Sequence, residues 1–145
     1  MLLFKRRYDF AAAHRLHSPA LSEEENQAVF RQCNNPHGHG HNYEFEVFLT
    51  GTLNTTTQMM IDLLALDALV EHHILDVVDH RYLDKEVAMF QGVITTAENI
   101  AYVFFETLAP HFPDSVQLVG VRVYETRNNA ALFLSPDYEE LLPPL

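Results

Sequence analysis

Between Cys33 and Tyr43 the chain reads Cys-Asn-Asn-Pro-His-Gly-His-Gly-His-Asn-Tyr, which places three histidines and a thiol within eleven residues. Packing alone seldom asks for that. His37, His39 and His41 alternate with Gly38 and Gly40, so in an extended backbone the imidazoles project from one face and the glycines let the chain bend and approach closely. This is the geometry of a metal site. An HxH pair supplies two ligands, whereas a catalytic zinc takes three protein ligands and keeps a position open for water or substrate. A third ligand therefore has to come from another segment. The alternative is a polar loop of solvated histidines, which leaves the adjoining thiol and glycines without a purpose.

The 145 residues amount to one domain, 1–145, long enough to bury a core. Apolar residues make up 48% of the chain, yet no apolar run approaches the roughly 18 residues that span a bilayer. Lys5, Arg6 and Arg7 sit inside a strand-like pattern rather than ahead of a signal-type apolar run, so the expectation is a cytoplasmic protein with no targeting segment and no membrane partner. Cys33 is the only cysteine; it excludes an internal disulfide framework, fits a reducing compartment, and among histidines is a candidate nucleophile or base. The formal net charge of -11 argues against nonspecific binding to nucleic acid or anionic membrane. A small anionic substrate remains compatible, with only nine Lys and Arg available to receive it.

Residues 2–14 alternate as a strand, with Phe4, Arg6, Tyr8, Phe10, Ala12 and His14 on one face. Alone, a histidine ending such a face is more often a satisfied core residue than a ligand. Ser22-Glu23-Glu24-Glu25 reads as a capping box opening a short helix to about Arg31. From His41 to Thr50 alternation returns, with His41, Tyr43, Phe45, Val47 and Leu49 inward. After a turn region, Asp62 caps a helix to about Val78 whose stripe is Leu63, Leu66, Val70, Ile74 and Val77, with His72 and His73 on its surface or against a partner. Asp79-His80 follows the helix end, where a carboxylate can fix an imidazole tautomer or simply belong to a polar turn. Asp84 to Val93 reads as a loop, and Thr95-Thr96-Ala97-Glu98 as a second capping box before a helix stopped near Pro110. Val116 to Glu125 is a third strand, with Val119, Val121, Val123 and Glu125 on one face; the terminal carboxylate either marks a site or turns outward as the strand ends. A turn at 127–129 leads to a last strand at 130–134, and the tail from Ser135 to Leu145 docks loosely or contacts another subunit. The expected fold is α+β: an antiparallel four-stranded sheet in the order ββααββ, with both helices on one face. Its two open edges invite pairing between subunits.

Several separated motifs resemble one family, the 6-pyruvoyl-tetrahydropterin synthases and the related 6-carboxy-tetrahydropterin synthases of queuosine biosynthesis, which share the T-fold. Phe10-Ala11-Ala12-Ala13-His14-Arg15-Leu16 is similar to the family's first zinc-ligand motif, although Ala13 stands where serine is common. Cys33 followed after five residues by His39-Gly40-His41-Asn42-Tyr43 resembles the pyruvoyl-type signature. Asp79-His80, Thr95-Thr96-Ala97-Glu98-Asn99 and Tyr124-Glu125-Thr126 match in order, and the likeness runs from Phe10 to about Asn129.

The resemblance implies zinc held by His14, His39 and His41, with Cys33 as the proton-abstracting base. It implies that His80, oriented by Asp79, relays charge to Cys33, that Glu125 anchors the pterin edge and shares in the relay, and that Thr96 contacts the pterin ring. It implies the substrate 7,8-dihydroneopterin triphosphate, and a homohexamer of two stacked trimers whose strands join into barrels with sites at subunit interfaces. For the triphosphate the scarce cations Lys5, Arg7, Arg15 and Arg31 are candidates, Arg15 foremost because it follows His14. One departure is informative: Cys33-x3-His37-Gly38-His39 also reads as the carboxy-type signature. The product is then 6-pyruvoyl-tetrahydropterin, the 6-carboxy compound formed with loss of acetaldehyde, or both. His41 is favoured over His37 at the metal because it continues the inward face of Tyr43 and Phe45 while Pro36 constrains the chain before His37. Two other classes compete, a non-catalytic binding module with a closed structural Cys-His zinc site, and a zinc hydrolase that needs no thiol.

Overall fold

The computed structural model describes residues 1–141; the end of the expected tail, 142–145, lies outside the described residues. Strand β1 (Phe4–His14) pairs antiparallel with the later strand β2 (His39–Gly51) in a register that sets Phe4 opposite Leu49 and His14 opposite His39. Between them, α1 (Glu23–Phe30) is opened by the expected box: Ser22 accepts from Glu25 N, and the Glu25 side chain accepts from Ser22 N. A 3-10 turn, Arg31–Asn34, then carries the chain to β2.

The next helix, α2 (Leu63–Val70), is capped by Asp62, and passes through a π-helical turn, Glu71–Leu75, into α3 (Asp76–Val78). The wider π turn corrects the expected stripe. Buried positions recur every four residues at Leu66, Val70, Ile74 and Val78, while Val77, expected inward, is exposed, as Leu63 is at the other end. His72 is exposed as expected, and the ring of its neighbour His73 stacks on His111 at 3.7 Å.

Past the helix, β3 (Arg81–Tyr82) runs parallel to β1 beside Ala12 and Ala13, and is followed by α4 (Leu83–Glu86) and a 3-10 turn at Ala88–Phe90 where a plain loop was expected. Helix α5 (Ala97–Leu108) starts from Thr96, which accepts from Asn99 N, so the cap lies one residue later than the Thr95-to-Glu98 box suggests. Strands β4 (Val116–Thr126) and β5 (Asn129–Leu134) complete an open sheet in the order β3-β1-β2-β4-β5. The four antiparallel strands are those expected; the two-residue β3 is the addition, and it makes the sheet mixed.

One face of the sheet carries the core. Phe10 stacks on Tyr43 at 4.8 Å between centroids, and Phe104 of α5 meets Phe45 at 5.1 Å. Arg6, despite its inward parity, is satisfied by Asp67 of α2 through bonds of 2.6 and 2.8 Å, and Tyr8 donates to the same carboxylate at 2.9 Å. A bulge shifts the β2–β4 register so that Leu49 faces Leu118 while Phe48 faces Gly120. Leu118, Val121 and Val123 thus join the core, and Val119, expected among them, faces the other side beside Phe48 and Leu134. On that side, away from α2 and α5, the wholly buried Glu46 carboxylate is bound by Lys5 at 2.6 Å, Arg7 at 2.9 Å and Arg122 at 3.3 Å. Among the described residues no helix is long and apolar enough to cross a membrane.

Candidate active site

The end of β1 and the start of β2 lie side by side, and their shared inward parity brings His14, His39 and His41 together with ligand nitrogens all within 4.8 Å of one another. His14 Nε2 and His39 Nε2 are 3.0 Å apart. His14 is fully buried, and its Nδ1 donates to the Thr95 carbonyl at 2.9 Å, with Tyr43 Oη at 3.2 Å and Thr95 Oγ1 at 3.3 Å beside it. That bond fixes the tautomer and leaves a lone pair on Nε2, aimed at the other rings. His39 Nδ1 and His41 Nε2 are buried without a hydrogen-bond partner among the described residues.

Burial pushes the His14 imidazole below the ordinary histidine range, reinforced by His39 and His41 and opposed by the Thr95 carbonyl and Glu125. Burial likewise lowers His41, with His39 adding to it and Glu125 resisting. Three imidazoles with one ring nitrogen of each inside a 4.8 Å cluster form the donor set a divalent transition metal such as zinc takes up. These residues fit the metal.

Thr95 is itself held: its hydroxyl donates to Asp84 Oδ1 at 2.7 Å, and Asp84 Oδ2 accepts from Arg15 N at 2.6 Å. Neither Thr95 nor Asp84 stands out in the sequence as a site residue. Thr95 looks like a helix cap, and a carboxylate in a presumed loop carries no spacing signal; only the tertiary contact reveals them. Tyr43 was legible as inward but not as a neighbour of the imidazole. Its phenol is pushed well above its ordinary range by burial first, then by the surrounding Glu125, Asp84 and Cys33.

Cys33 is half-buried in the 3-10 turn, and its carbonyl accepts from Leu16 N at 2.9 Å, which pins it beside the end of β1. Arg15 stitches the same turn, its Nε donating to the Asn34 carbonyl at 2.9 Å. Glu125, mostly buried where a second bulge ends β4, has Oε1 at 3.7 Å from His41 Nε2. His37, the alternative ligand, is exposed and outside the imidazole cluster.

Other sequence-predicted residues are placed elsewhere. Asp79 accepts from Ala11 N at 2.9 Å and from His80 Nδ1 at 3.0 Å at the sheet edge, with the His80 ring largely in solvent. Among the described residues no hydrogen bond or ion pair joins this pair to Cys33 or to the imidazoles. Thr96 serves as the α5 cap. Lys5 and Arg7 are engaged on the opposite sheet face by Glu46, and Arg31 is exposed after α1.

Known proteins resemble this chain along most of its length. The profile of the family described as 6-pyruvoyl tetrahydropterin synthase matches residues 4–135. The 6-pyruvoyl tetrahydrobiopterin synthase of Homo sapiens is 42% identical over 128 residues, covering 88% of each chain, and that of Drosophila melanogaster is 38% identical over 131 residues, covering 90% of this chain and 78% of its own. The solved Caenorhabditis elegans 6-pyruvoyl tetrahydropterin synthase superposes with a TM-score of 0.85 at 40% identity, over 92% of this chain and 95% of that one. An uncharacterized Wolinella succinogenes protein, at 20% identity and a TM-score of 0.67 over 92% and 99% of the two chains, shares the fold alone. With an α+β T-fold, a three-imidazole cluster at the end of paired strands and relatives of this identity, the chain belongs to the 6-pyruvoyl tetrahydropterin synthase family.

Proposed function

We propose that the chain is a zinc-dependent synthase that acts on 7,8-dihydroneopterin triphosphate and eliminates triphosphate to form 6-pyruvoyl-tetrahydropterin. The observation that carries this is the convergence of His14, His39 and His41, one tautomer already fixed by Thr95, in a member of this family. Bound there, zinc would supply Lewis acidity to the hydroxyls of the substrate side chain and so acidify the neighbouring carbons.

The protein groups do the rest. Cys33, pinned beside β1, removes a proton from the side-chain carbon; a thiol is an apt base once a nearby cation favours its thiolate. The carbon–oxygen bond to triphosphate breaks, and the protons are redistributed between side chain and ring, so no external oxidant or reductant is needed. Glu125 accepts two parallel hydrogen bonds from the pterin 2-amino group and ring N–H, and its position beside His41 supports a pterin lying with its side chain toward the imidazoles. Thr96, Arg15 and the relay through Asp79 and His80 complete the set, with Arg15 toward the triphosphate.

Among the described residues no hydrogen bond or ion pair joins the exposed Asp79–His80 pair to its own Cys33, which supports a closed homohexamer in which these residues serve a neighbouring copy. The length of β1 that the two-residue β3 leaves uncovered and the outer edge of β5 support the same assembly. An exposed His37 outside the cluster favours the pyruvoyl over the carboxy product. Mass spectrometry of the products from 7,8-dihydroneopterin triphosphate tests the assignment. The 6-pyruvoyl compound and free triphosphate are expected, whereas acetaldehyde with the 6-carboxy compound would move the chain to the other branch, and an unchanged substrate would refute the activity.

A further inference from the structure

Gly38 is the residue on which β2 turns toward the imidazoles, and two separate facts restrict it to glycine. Its φ is +74°, a region that favours glycine. A Cβ there would also run into the phenol of Tyr82, whose ring carbons Cε2 and Cζ would both lie 2.8 Å away and whose oxygen would be closer still. Tyr82 belongs to β3, where it pairs with Ala13, and Ala13 pairs in turn with Gly40 of β2. Residues in register across neighbouring strands present side chains to one face, so the small side chains of Ala13 and Gly40 leave room for the ring to cross β1 and reach Gly38.

The ring is fixed from both ends. Lys85 Nζ stands 4.5 Å from its centroid, and its backbone N–H donates to Glu86 Oε2 at 2.7 Å. The phenolic oxygen is buried and has no hydrogen-bond partner among the described residues. The contact that the structure gives this side chain is its packing against Gly38.

We infer that Tyr82 is a positioning residue of the imidazole cluster: its ring lies against the Gly38 Cα and sets the turn that delivers His39. Two residues on, Asp84 steadies Thr95 and through it His14. The β3–α4 segment therefore braces two of the three ligands from outside, and it begins directly after Asp79 and His80, so metal and acid–base pair are fixed by one piece of chain.

The inference rests on the metal assignment proposed above. The test uses the full chain stripped of metal and titrated with Co(II), read by its visible absorption and by competition with a chelator, with the melting temperature of the metal-free protein as control. Tyr82→Ala is expected to bind Co(II) about 10–100-fold more weakly, with an altered spectrum, while melting within a few degrees of wild type. Tyr82→Phe keeps the ring and is expected to match wild-type affinity and spectrum. Tyr82→Ala binding like wild type would overturn the inference, and so would Tyr82→Phe losing as much as Tyr82→Ala.

If Tyr82→Ala folds poorly, Gly38→Ala keeps the proposal open to refutation. The clash predicts that Gly38→Ala, with Tyr82 in place, binds Co(II) about 10–100-fold more weakly while the metal-free protein melts within a few degrees of wild type, and unchanged Co(II) binding would overturn it. Absence of Co(II) binding in the wild type would sink the metal assignment and this inference together; failure confined to the variants would sink the inference alone.

Discussion

His14 depends on what faces its far nitrogen. Without the Thr95 carbonyl at Nδ1 the buried ring has no fixed tautomer, and with it the Nε2 lone pair is aimed at His39 and His41. Cys33 is placed differently, by backbone bonds of its turn and not by the imidazoles. The two kinds of placement predict different losses. Cys33→Ala is expected to retain zinc, measured by elemental analysis, and to lower turnover about 10²–10⁴-fold; loss of zinc instead would make Cys33 a ligand. Glu125→Gln is expected to weaken pterin binding by about 1.5–3 kcal/mol, read by fluorescence titration, because one charged acceptor facing two donors is replaced by an amide that offers one. An unchanged titration would remove Glu125 from the pterin site.

Among the elements, the strands and caps were legible in the sequence because their signals are local. Alternation in β1 and β2 put His14, His39 and His41 on the core face, and Ser22 and Asp62 cap the helices they precede. What was not legible depends on contacts between distant segments. The π turn at Glu71–Leu75 moves the buried position from Val77 to Val78, and the bulge opposite Phe48 turns Val119 away from the core; neither leaves a periodic trace. Strand β3 is too short for any pattern, and Thr95 gives its hydroxyl to Asp84 instead of to the helix. At α5 the two threonines therefore have separable roles. Thr96→Ala is expected to lower stability in urea by about 1 kcal/mol, the usual worth of a cap, while leaving metal affinity unchanged. A metal loss comparable to that of a ligand variant would contradict that division.

Across the whole molecule, buried and half-buried carboxylates on the two faces of the sheet link stability to pH. Burial raises the Glu46 carboxyl, but hydrogen bonds from Lys5 and Arg7 outweigh it and hold the group below the ordinary glutamate range; Asp67 is lowered chiefly by its hydrogen bonds from Arg6. Groups lowered on folding stabilise fully above their ordinary values, and that stability is lost as pH falls through the folded value. Glu46→Gln is thus expected to cost about 1–3 kcal/mol at pH 7, the worth of a charge-assisted hydrogen-bond set, with the gap constant to about pH 5 and closing below about pH 4. Urea unfolding across that range checks it, and a gap independent of pH would contradict the assignment. The measurement that bears most directly on the whole account is zinc per chain in wild type and in His14→Ala, His39→Ala, His41→Ala and His37→Ala. One zinc is expected in the wild type and in His37→Ala, and at least a tenfold weaker hold in each of the other three. Zinc kept by His14→Ala but lost from His37→Ala would contradict it.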